Sequence, residues 1–299
     1  MTGSEFDTIP LTGWFPGHML KAGREMQQRL ELVDVVVQIL DARIPRASRN
    51  PAIEAACTHK PQLLVFNKAD LAAPALTRRW EAWFAAGSIP ALFVDGRTGG
   101  GAARLLPAAR QLWEAERRRR GATRPLLRGL RLMIAGVPNV GKSTLINRLA
   151  ERHKAAVGPK PGVTRATQWI RLQDGMEMLD TPGVFFPHLE CKQDELLLGL
   201  AGCIKDEVIG EELLAEYLWF RLAQAPPPAA TRWERYGLAA PPASADELLA
   251  AVAKRRGLFR AAAASFDRRQ SAIHLLLDYR EGKLGRFTFD EPADASPPG

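Results

Sequence analysis

The chain has 299 residues, enough for one large domain or two ordinary ones, and its 46% hydrophobic and 25% charged residues exclude an intrinsically disordered protein. No run of 18 apolar residues occurs, so the sequence excludes a transmembrane helix. Three cysteines without a CxxC pair predict neither a disulfide framework nor a zinc site, and they favour a reducing compartment.

Positive charge is concentrated in the first two-thirds of the chain. Residues 1–189 hold 27 basic and 16 acidic side chains, whereas residues 190–299 hold 14 and 17. This distribution favours a polyanionic partner such as nucleic acid, although the same charge can serve solubility alone. The first sixteen residues contain no Lys or Arg and do not resemble a secretory or transit signal, so we expect the protein in the cytoplasm.

Short apolar runs alternate with helical patterns up to about residue 180. The predicted strands are residues 32–40, 62–66, 91–94, 130–135 and 176–179, with residues 169–172 as a candidate partner of the last. The predicted helices between them include residues 75–86, 102–120 and 142–151. This alternation is typical of an α/β fold with a mostly parallel sheet and helices on both faces, in which ligands bind at the carboxyl ends of the strands.

The second predicted strand leads into Asn67-Lys-Ala-Asp70, an NKxD motif. Asp70 can accept two hydrogen bonds from guanine N1–H and N2–H₂. Adenine lacks this donor pair, so its binding would leave the carboxylate unpaired at a cost of about 1–3 kcal/mol. We expect Lys68 to lie along the base and Asn67 to brace neighbouring loops. After the third strand, Gly96 and Arg97 are candidates to contact guanine O6 through a backbone N–H.

The fourth strand leads into residues 136–143 (GVPNVGKS), which match the P-loop pattern GxxxxGK[ST]. Glycines let the backbone curl so that N–H groups point at phosphates, and the positive end of the following helix adds to the attraction. We expect Lys142 to contact the β- and γ-phosphates and Ser143 to ligate Mg²⁺. The other loop residues expected at the nucleotide are Asn139, Val140, Gly141 and Thr144.

Two further segments are expected at the γ-phosphate. Asp180-Thr-Pro-Gly183 ends the fifth strand and matches DxxG. Asp180 would hold Mg²⁺ through water, and the Gly183 N–H would contact the γ-phosphate, because only glycine permits so close a backbone approach. Thr164 lies between the P-loop and this segment, and would close over Mg²⁺ when a triphosphate is bound.

The order of the motifs is unusual, because NKAD precedes the P-loop, Thr164 and DTPG. All these loops are expected at one edge of the sheet, so the chain can be cut elsewhere without moving the site. The sequence therefore predicts a circularly permuted P-loop GTPase that binds GTP and Mg²⁺.

The strand pattern stops after residue 189. We expect residues 1–189 to form the GTPase domain, residues 190–290 a small all-α domain, and residues 291–299 a disordered tail. Between residues 254 and 269, six basic side chains are accompanied by one acidic residue, Asp267. This excess predicts RNA contact through Lys254, Arg255, Arg256, Arg260, Arg268 and Arg269.

Four further segments, together with the P-loop and DTPG, resemble the ribosome biogenesis GTPase A family, which is itself similar to mitochondrial ribosome-associated GTPases. They are residues 14–19 (WFPGHM), 41–45 (DARIP), 48–50 (SRN) and 278–285 (DYREGKLG). The resemblance covers about residues 11–290. It implies a factor that acts late in assembly of the large ribosomal subunit, binds ribosomal RNA and ribosomal proteins, and hydrolyses GTP when docked.

Val184 follows DTPG at the position where Ras-like GTPases have the glutamine that orients the attacking water, which valine cannot do. The resemblance makes His18 the candidate replacement, because an imidazole can orient or deprotonate water. His188 is a rival, and His18 could instead pack or bind RNA. Resemblance to potassium-activated GTPases, carried by Asn139, adds K⁺ near the phosphates. The alternative function is a guanine-nucleotide-sensing, RNA-binding scaffold with negligible turnover.

Overall fold

The computed structural model describes residues 3–12, 28–122, 128–152, 156–158, 168–172, 175–180, 189, 191–225, 230–260 and 265–293. This part of the chain forms two compact units. The sheet unit contains the described residues between 28 and 180 and those from 290 onward, and the helical unit contains residues 3–12 and the described residues from 189 to 289. No described helix is both long and apolar enough to cross a membrane.

The sheet unit is built around a seven-stranded sheet. Its strands are β1 (Val35–Asp41), β2 (Gln62–Asn67), β3 (Ala91–Phe93), β4 (Arg131–Ala135), β5 (Ala156–Gly158), β6 (Gln168–Arg171) and β7 (Glu177–Asp180). Their spatial order is β3-β2-β1-β4-β7-β6-β5. Strands β3, β2, β1, β4 and β7 are parallel to one another, and β6 runs antiparallel to both of its neighbours, β7 and β5. The predicted mostly parallel sheet is confirmed, as is the pairing of its last two predicted strands.

Helices cover this sheet and make up most of the other unit. In chain order they are α1 (Gly3–Asp7), α2 (Pro51–Ala56), α3 (Pro74–Ala85), α4 (Leu105–Arg119), α5 (Lys142–Arg152), α6 (Lys192–Leu200), α7 (Asp206–Ile209), α8 (Glu211–Gln224), α9 (Ala230–Glu234), α10 (Ala245–Arg256) and α11 (Arg268–Arg280). Helices α2–α5 belong to the sheet unit and the others to the helical unit. All seven residues of β1 are buried, as expected for a central strand covered on both faces.

The segment that begins at residue 290 is fixed to the sheet unit. The Asp290 carboxylate accepts hydrogen bonds from the backbone N–H groups of Arg46 and Ala47, both at 2.9 Å. The Trp80 indole donates to the Asp290 carbonyl oxygen at 3.2 Å. These bonds hold the first residue after the helical unit, whereas most of the predicted tail, residues 294–299, lies outside the described residues.

The N-terminal segment belongs to the helical unit, although the sequence-based division assigned it to the GTPase domain. Phe6 of α1 is fully buried, with its ring 4.9 Å from that of Tyr217 and 5.4 Å from that of Phe220. The Thr12 N–H donates to the Glu195 carboxylate at 3.1 Å. Periodicity within residues 1–14 cannot reveal this packing, because α8 and α6 supply the partners from nearly 200 residues away.

A capping box, Ser244-Ala-Asp-Glu247, stands at the start of α10. The Ser244 hydroxyl accepts a hydrogen bond from the Glu247 N–H at 3.2 Å, which satisfies one of the free donors of the first turn. The Glu247 carboxylate in return accepts from the Ala243 N–H at 2.6 Å. The two side chains therefore each satisfy a backbone donor at this end of the helix.

Substitution of Phe6 tests whether α1 is an integral part of the helical unit. Phe6→Ala removes a fully buried ring and should lower the free energy of unfolding by about 3–5 kcal/mol. Urea unfolding followed by tryptophan fluorescence and far-UV circular dichroism measures the change. Thr8→Ala, at an exposed position two residues along, is the matched control and should stay within about 0.5 kcal/mol of the parent. Equal stability of the Phe6→Ala variant and the parent would contradict the packing described.

Candidate nucleotide-binding site

The predicted motifs converge because they follow parallel strands. In the sheet register Asp41 pairs with Asn67, and Ile134 pairs with Asp180. NKAD leaves β2, the 95–99 loop follows β3, the P-loop leaves β4, and DTPG begins at the last residue of β7. Each of these segments therefore begins at the carboxyl edge of one sheet, although their order along the chain is permuted.

Glycines in the P-loop are required by close contacts. A Cβ on Gly136 would lie 2.3 Å from the Ile39 carbonyl oxygen, and one on Gly141 would lie 2.2 Å from the Asn67 side-chain nitrogen. Both glycines also have positive φ angles, of 149° and 92°. Asn139 adopts a left-handed conformation as well, with φ of 59°. The loop thus curls tightly enough for a side chain at either glycine to clash.

Lys142 begins α5 and is largely buried beneath the curled loop. Its ammonium group donates to the carbonyl oxygens of Gly136 at 3.0 Å and Val137 at 2.9 Å. Ser143 and Thr144 follow it in the first turn of α5 and are exposed. A fixed ammonium group beside a helix N-terminus attracts anions, so this arrangement suits the phosphates of a nucleotide.

The Asn67 side chain joins three loops of the site. Its amide nitrogen donates to the Val140 carbonyl oxygen at 2.8 Å, and its amide oxygen accepts from the Gly96 N–H at 2.8 Å. The side chain is 3% exposed, so both bonds are shielded from water. NKAD, the P-loop and the loop after β3 are therefore held at fixed separations by one amide, which is the bracing expected from the sequence.

Lys68 reaches across the same edge to the P-loop and to β1. Its ammonium group donates to the Asn139 carbonyl oxygen and to the Asp41 carboxylate, both at 2.8 Å. Asp41 is fully buried and also receives two hydrogen bonds from the Arg43 guanidinium group, at 2.9 and 2.7 Å. Burial by itself would raise the pKa of Asp41, but the Arg43 and Lys68 cations outweigh it and hold that pKa well below its usual value.

Asp41 and Arg43 were not predicted as site residues. They were noted only as part of the DARIP segment, by resemblance. A usable signal was present nonetheless, since β1 ends in a carboxylate at the sheet edge where NKAD was already expected. Their contacts show what the DARIP segment does: through Asp41 it holds Lys68 of the NKAD motif in place.

The guanine-recognition residues are arranged less simply than predicted. Asp70 is partly exposed, and its carboxylate lies 3.8 Å from the exposed Arg97 guanidinium group. The Gly96 N–H is donated to Asn67 and the Arg97 N–H to the Asp95 carboxylate, each at 2.8 Å. Both backbone donors predicted for guanine O6 are thus used within the protein. The Arg97 N–H can donate fully to guanine O6 only if its hydrogen bond to Asp95 breaks.

Several predicted residues lie outside the described residues: His18, Thr164, Gly183, Val184 and the rival His188. For Asp180 the backbone position at the end of β7 is described, and it lies beside the strand that leads into the P-loop. Within the described part of the chain, no group of three or more His, Cys, Asp or Glu converges as a metal site.

The basic residues predicted to contact RNA are not equivalent in the structure. Three are engaged in ion pairs with acidic residues of other helices: Arg256 with Asp278, Arg268 with Glu212 and Asp246, and Arg269 with Glu211. Lys254 and Arg255 are exposed, and neither forms an ion pair within the residues described. Arg260 ends the short strand β8 (Phe259–Arg260). Counting charges between residues 254 and 269 missed these acids, which are remote in sequence.

Comparison with known proteins identifies the family of the chain. Residues 131–212 match the family model described as 50S ribosome-binding GTPase. The chain is 38% identical to ribosome biogenesis GTPase A of Priestia megaterium, over 95% of this chain and 98% of that protein. It is 40% identical to the Bacillus cereus protein of the same name, over 94% of each chain. Mitochondrial ribosome-associated GTPase 1 of Mus musculus is 38% identical over 74% of this chain and 71% of its own length.

Solved structures show the same fold. The crystal structure of GNP-bound YlqF from T. maritima superposes with a TM-score of 0.66 at 25% identity, covering 92% of this chain and 100% of that one. The GDP-bound YlqF structure gives a TM-score of 0.65 at the same identity, covering 90% and 99%. The fold and the permuted order of the motifs are consistent with these relatives. The chain therefore belongs to the ribosome biogenesis GTPase A family, and it is a P-loop GTPase with a role in ribosome assembly.

Proposed function

We propose that this protein binds the large ribosomal subunit late in its maturation, contacts ribosomal RNA, and hydrolyses GTP when docked there. The observation that carries the nucleotide chemistry is the Asn67 amide, which joins NKAD to the P-loop in one buried contact. The choice of the large subunit is supported by the family description, 50S ribosome-binding GTPase.

Each part of the nucleotide has a matching group at the sheet edge. Lys142 and the start of α5 suit the phosphates, and Asp70 suits the guanine N–H donors. Mg²⁺ in nucleotide sites is usually bound by one or two protein oxygen ligands together with the phosphates. The Ser143 hydroxyl and the Asp180 carboxylate are oxygen ligands of this kind. We also propose that Thr164 closes over Mg²⁺ and that the Gly183 N–H contacts the γ-phosphate. A potassium ion beside Asn139 stays an expectation drawn from the resemblance to potassium-activated GTPases.

The alternative proposal is an RNA-binding scaffold that senses guanine nucleotides without turning them over. Val184 favours it, because an aliphatic side chain after DTPG cannot orient water. The two proposals share the nucleotide site and the ribosomal partner. They differ only in whether another group, such as His18, activates the water when the protein is docked.

Asp70→Asn tests the basis of guanine selectivity. The amide offers one acceptor where the carboxylate offered two, so GTP affinity should fall by about 10- to 100-fold or more. Xanthosine triphosphate carries an acceptor in place of the guanine amino group, so its affinity should rise. Titration calorimetry with both nucleotides and with ATP gives these values. Arg78→Gln, an exposed change on α3, should leave all of them unaltered. Equal binding of GTP and ATP by the parent protein would remove the assignment of Asp70.

Co-sedimentation tests the ribosomal partner. With a non-hydrolysable GTP analogue, the protein should pellet with large-subunit particles and not with small subunits. With GDP the bound fraction should decrease. Raising the salt concentration should weaken binding steeply if phosphates of the RNA are contacted. Pelleting with small subunits instead, or with neither particle, would refute the proposal.

His18→Ala separates the two proposals. If His18 activates water, the variant should lose about 10²- to 10⁴-fold of the hydrolysis measured with large subunits while GTP affinity remains unchanged. His59→Ala, at an exposed histidine outside every motif, is the matched control. Loss of turnover in His188→Ala instead would assign the role to that residue. If large subunits produce no stimulation of the parent, the scaffold proposal is the better one.

A further inference from the structure

The 278–285 segment contains an unusual buried carboxylate. Asp278, on α11, is 1% exposed and accepts three sets of hydrogen bonds. The Arg235 guanidinium group donates at 2.9 and 3.2 Å, and the Tyr236 hydroxyl at 3.0 Å. Arg256, the last residue of α10, donates to both carboxylate oxygens at 3.0 Å. Three separate parts of the helical unit therefore meet at one side chain.

A third cation lies against the same carboxylate. The Lys283 ammonium group is 3.5 Å from Asp278 and also pairs with the exposed Glu281. Lys283 is held in place from its backbone as well, because its N–H donates to the Asp278 carbonyl oxygen at 2.9 Å. The side chains of Arg235, Arg256 and Lys283 are 32%, 34% and 44% exposed, so the cluster opens to solvent on its cationic side.

The cluster has more positive charge than its own acids neutralise. Three cations surround two carboxylates, of which Glu281 pairs with Lys283 alone. The other ion pairs described in the helical unit are balanced or have excess acid: Lys192 with Glu195, Arg269 with Glu211, Arg280 with Asp206, and Arg268 with Glu212 and Asp246. Lys254 and Arg255, next to Arg256 in the last turn of α10, extend the positive surface.

Hydrogen-bond donors of the two arginines also remain available. Arg235 uses Nε and Nη2 on Asp278, and Arg256 uses Nη2. Within the described residues no hydrogen bond is formed by Nη1 of Arg235 or by Nε and Nη1 of Arg256. Hydrogen bonds from Arg235, Tyr236 and Arg256 overcome the effect of burial and lower the pKa of Asp278 to about 2, so this anchor is ionised throughout the physiological range. The cations are thus held in position before any ligand arrives.

We propose that Arg235, Arg256 and Lys283 form an anion site for a phosphate group of an RNA backbone. Asp278 is its positioning residue. Guanidinium groups suit phosphate because their planar N–H donors match its oxygens in pairs, and adjacent exposed cations can follow the next phosphates of a continuous strand. A single acidic side chain of a protein would occupy the central site but would leave the adjacent cations, Lys254 and Arg255, without a partner. The inference rests on the proposed function for the identity of the RNA, and it gives the DYREGKLG segment a role.

The test removes two of the three cations and measures affinity for RNA. Arg235→Gln/Lys283→Gln leaves Asp278 paired with Arg256 and Tyr236. The matched control, Lys205→Gln/Arg152→Gln, removes the same charge at two exposed positions with no ion pair among the described residues. The probes are deproteinised large-subunit ribosomal RNA and intact large-subunit particles, titrated over a range of salt concentrations. Circular dichroism and GTP binding check that each variant is folded.

We expect the cluster variant to bind deproteinised RNA about tenfold more weakly than the control. The slope of log affinity against log salt concentration should decrease in magnitude by about 1, because one phosphate is no longer neutralised. The charge-conserving pair Arg235→Lys/Lys283→Arg should recover most of the affinity, which would not happen if the exact ion-pair geometry served only folding.

Three results would overturn the proposal. If the cluster variant and the control lose RNA affinity equally, the loss comes from the lower net charge and not from this site. Loss of binding to particles alone, with RNA affinity intact, would identify a ribosomal protein as the partner. If Arg235→Lys/Lys283→Arg does not recover RNA binding, the cluster has a structural role only. If the parent protein itself does not bind large subunits, the proposed function fails, whereas an unaffected cluster variant refutes only this site.

Discussion

The nucleotide site depends on one neutral side chain. The Asn67 amide connects NKAD to the P-loop and to the loop after β3, and Gly141 must be glycine because its backbone passes this amide closely. A side-chain amide can do this because it both donates and accepts in a fixed plane. In this chain the P-loop lies about seventy residues after NKAD, so the contact, and not covalent proximity, sets the separation between the guanine and phosphate ends of the site.

Parallel strands make the permutation harmless to the site. The motifs leave β2, β4 and β7 at one edge, and a loop that follows a strand keeps its place whichever strand comes first in the chain. The permutation does change which parts of the chain are joined to the site. DTPG is now followed within about ten residues by the helical unit, while residues 3–12 belong to that unit and lie upstream of the His18 segment. Both segments proposed to contact the γ-phosphate region are therefore directly continuous with the helical unit.

Local signals in the sequence were sufficient for six of the seven described strands and for placing NKAD and the P-loop at one edge of the sheet, whereas β5 was not predicted. Buried parallel strands are nearly continuous apolar runs, so β1, β2 and β4 were found within a few residues of their ends, and the motifs after them follow from spacing. Long-range packing was not accessible in the same way. The burial of Phe6 against α8 depends on residues about 210 positions away. Likewise, Leu277 is apolar and lies on α11 next to the buried Leu276, yet it is 44% exposed, because the neighbouring helices decide which face is covered.

Two buried carboxylates perform the same task in the two units. Asp41 holds Lys68 and Arg43 in the sheet unit, and Asp278 holds Arg235 and Arg256 in the helical unit. Burying an ionised carboxylate costs several kcal/mol of desolvation, and a well-packed apolar cluster would stabilise a fold at least as well. What an apolar cluster cannot do is fix the direction of a cation. In the sheet unit the Lys68 cation is held against the P-loop, where the nucleotide is proposed to bind, and in the helical unit the cations lie where an RNA phosphate is proposed to bind. Positioning therefore explains these carboxylates better than stability does.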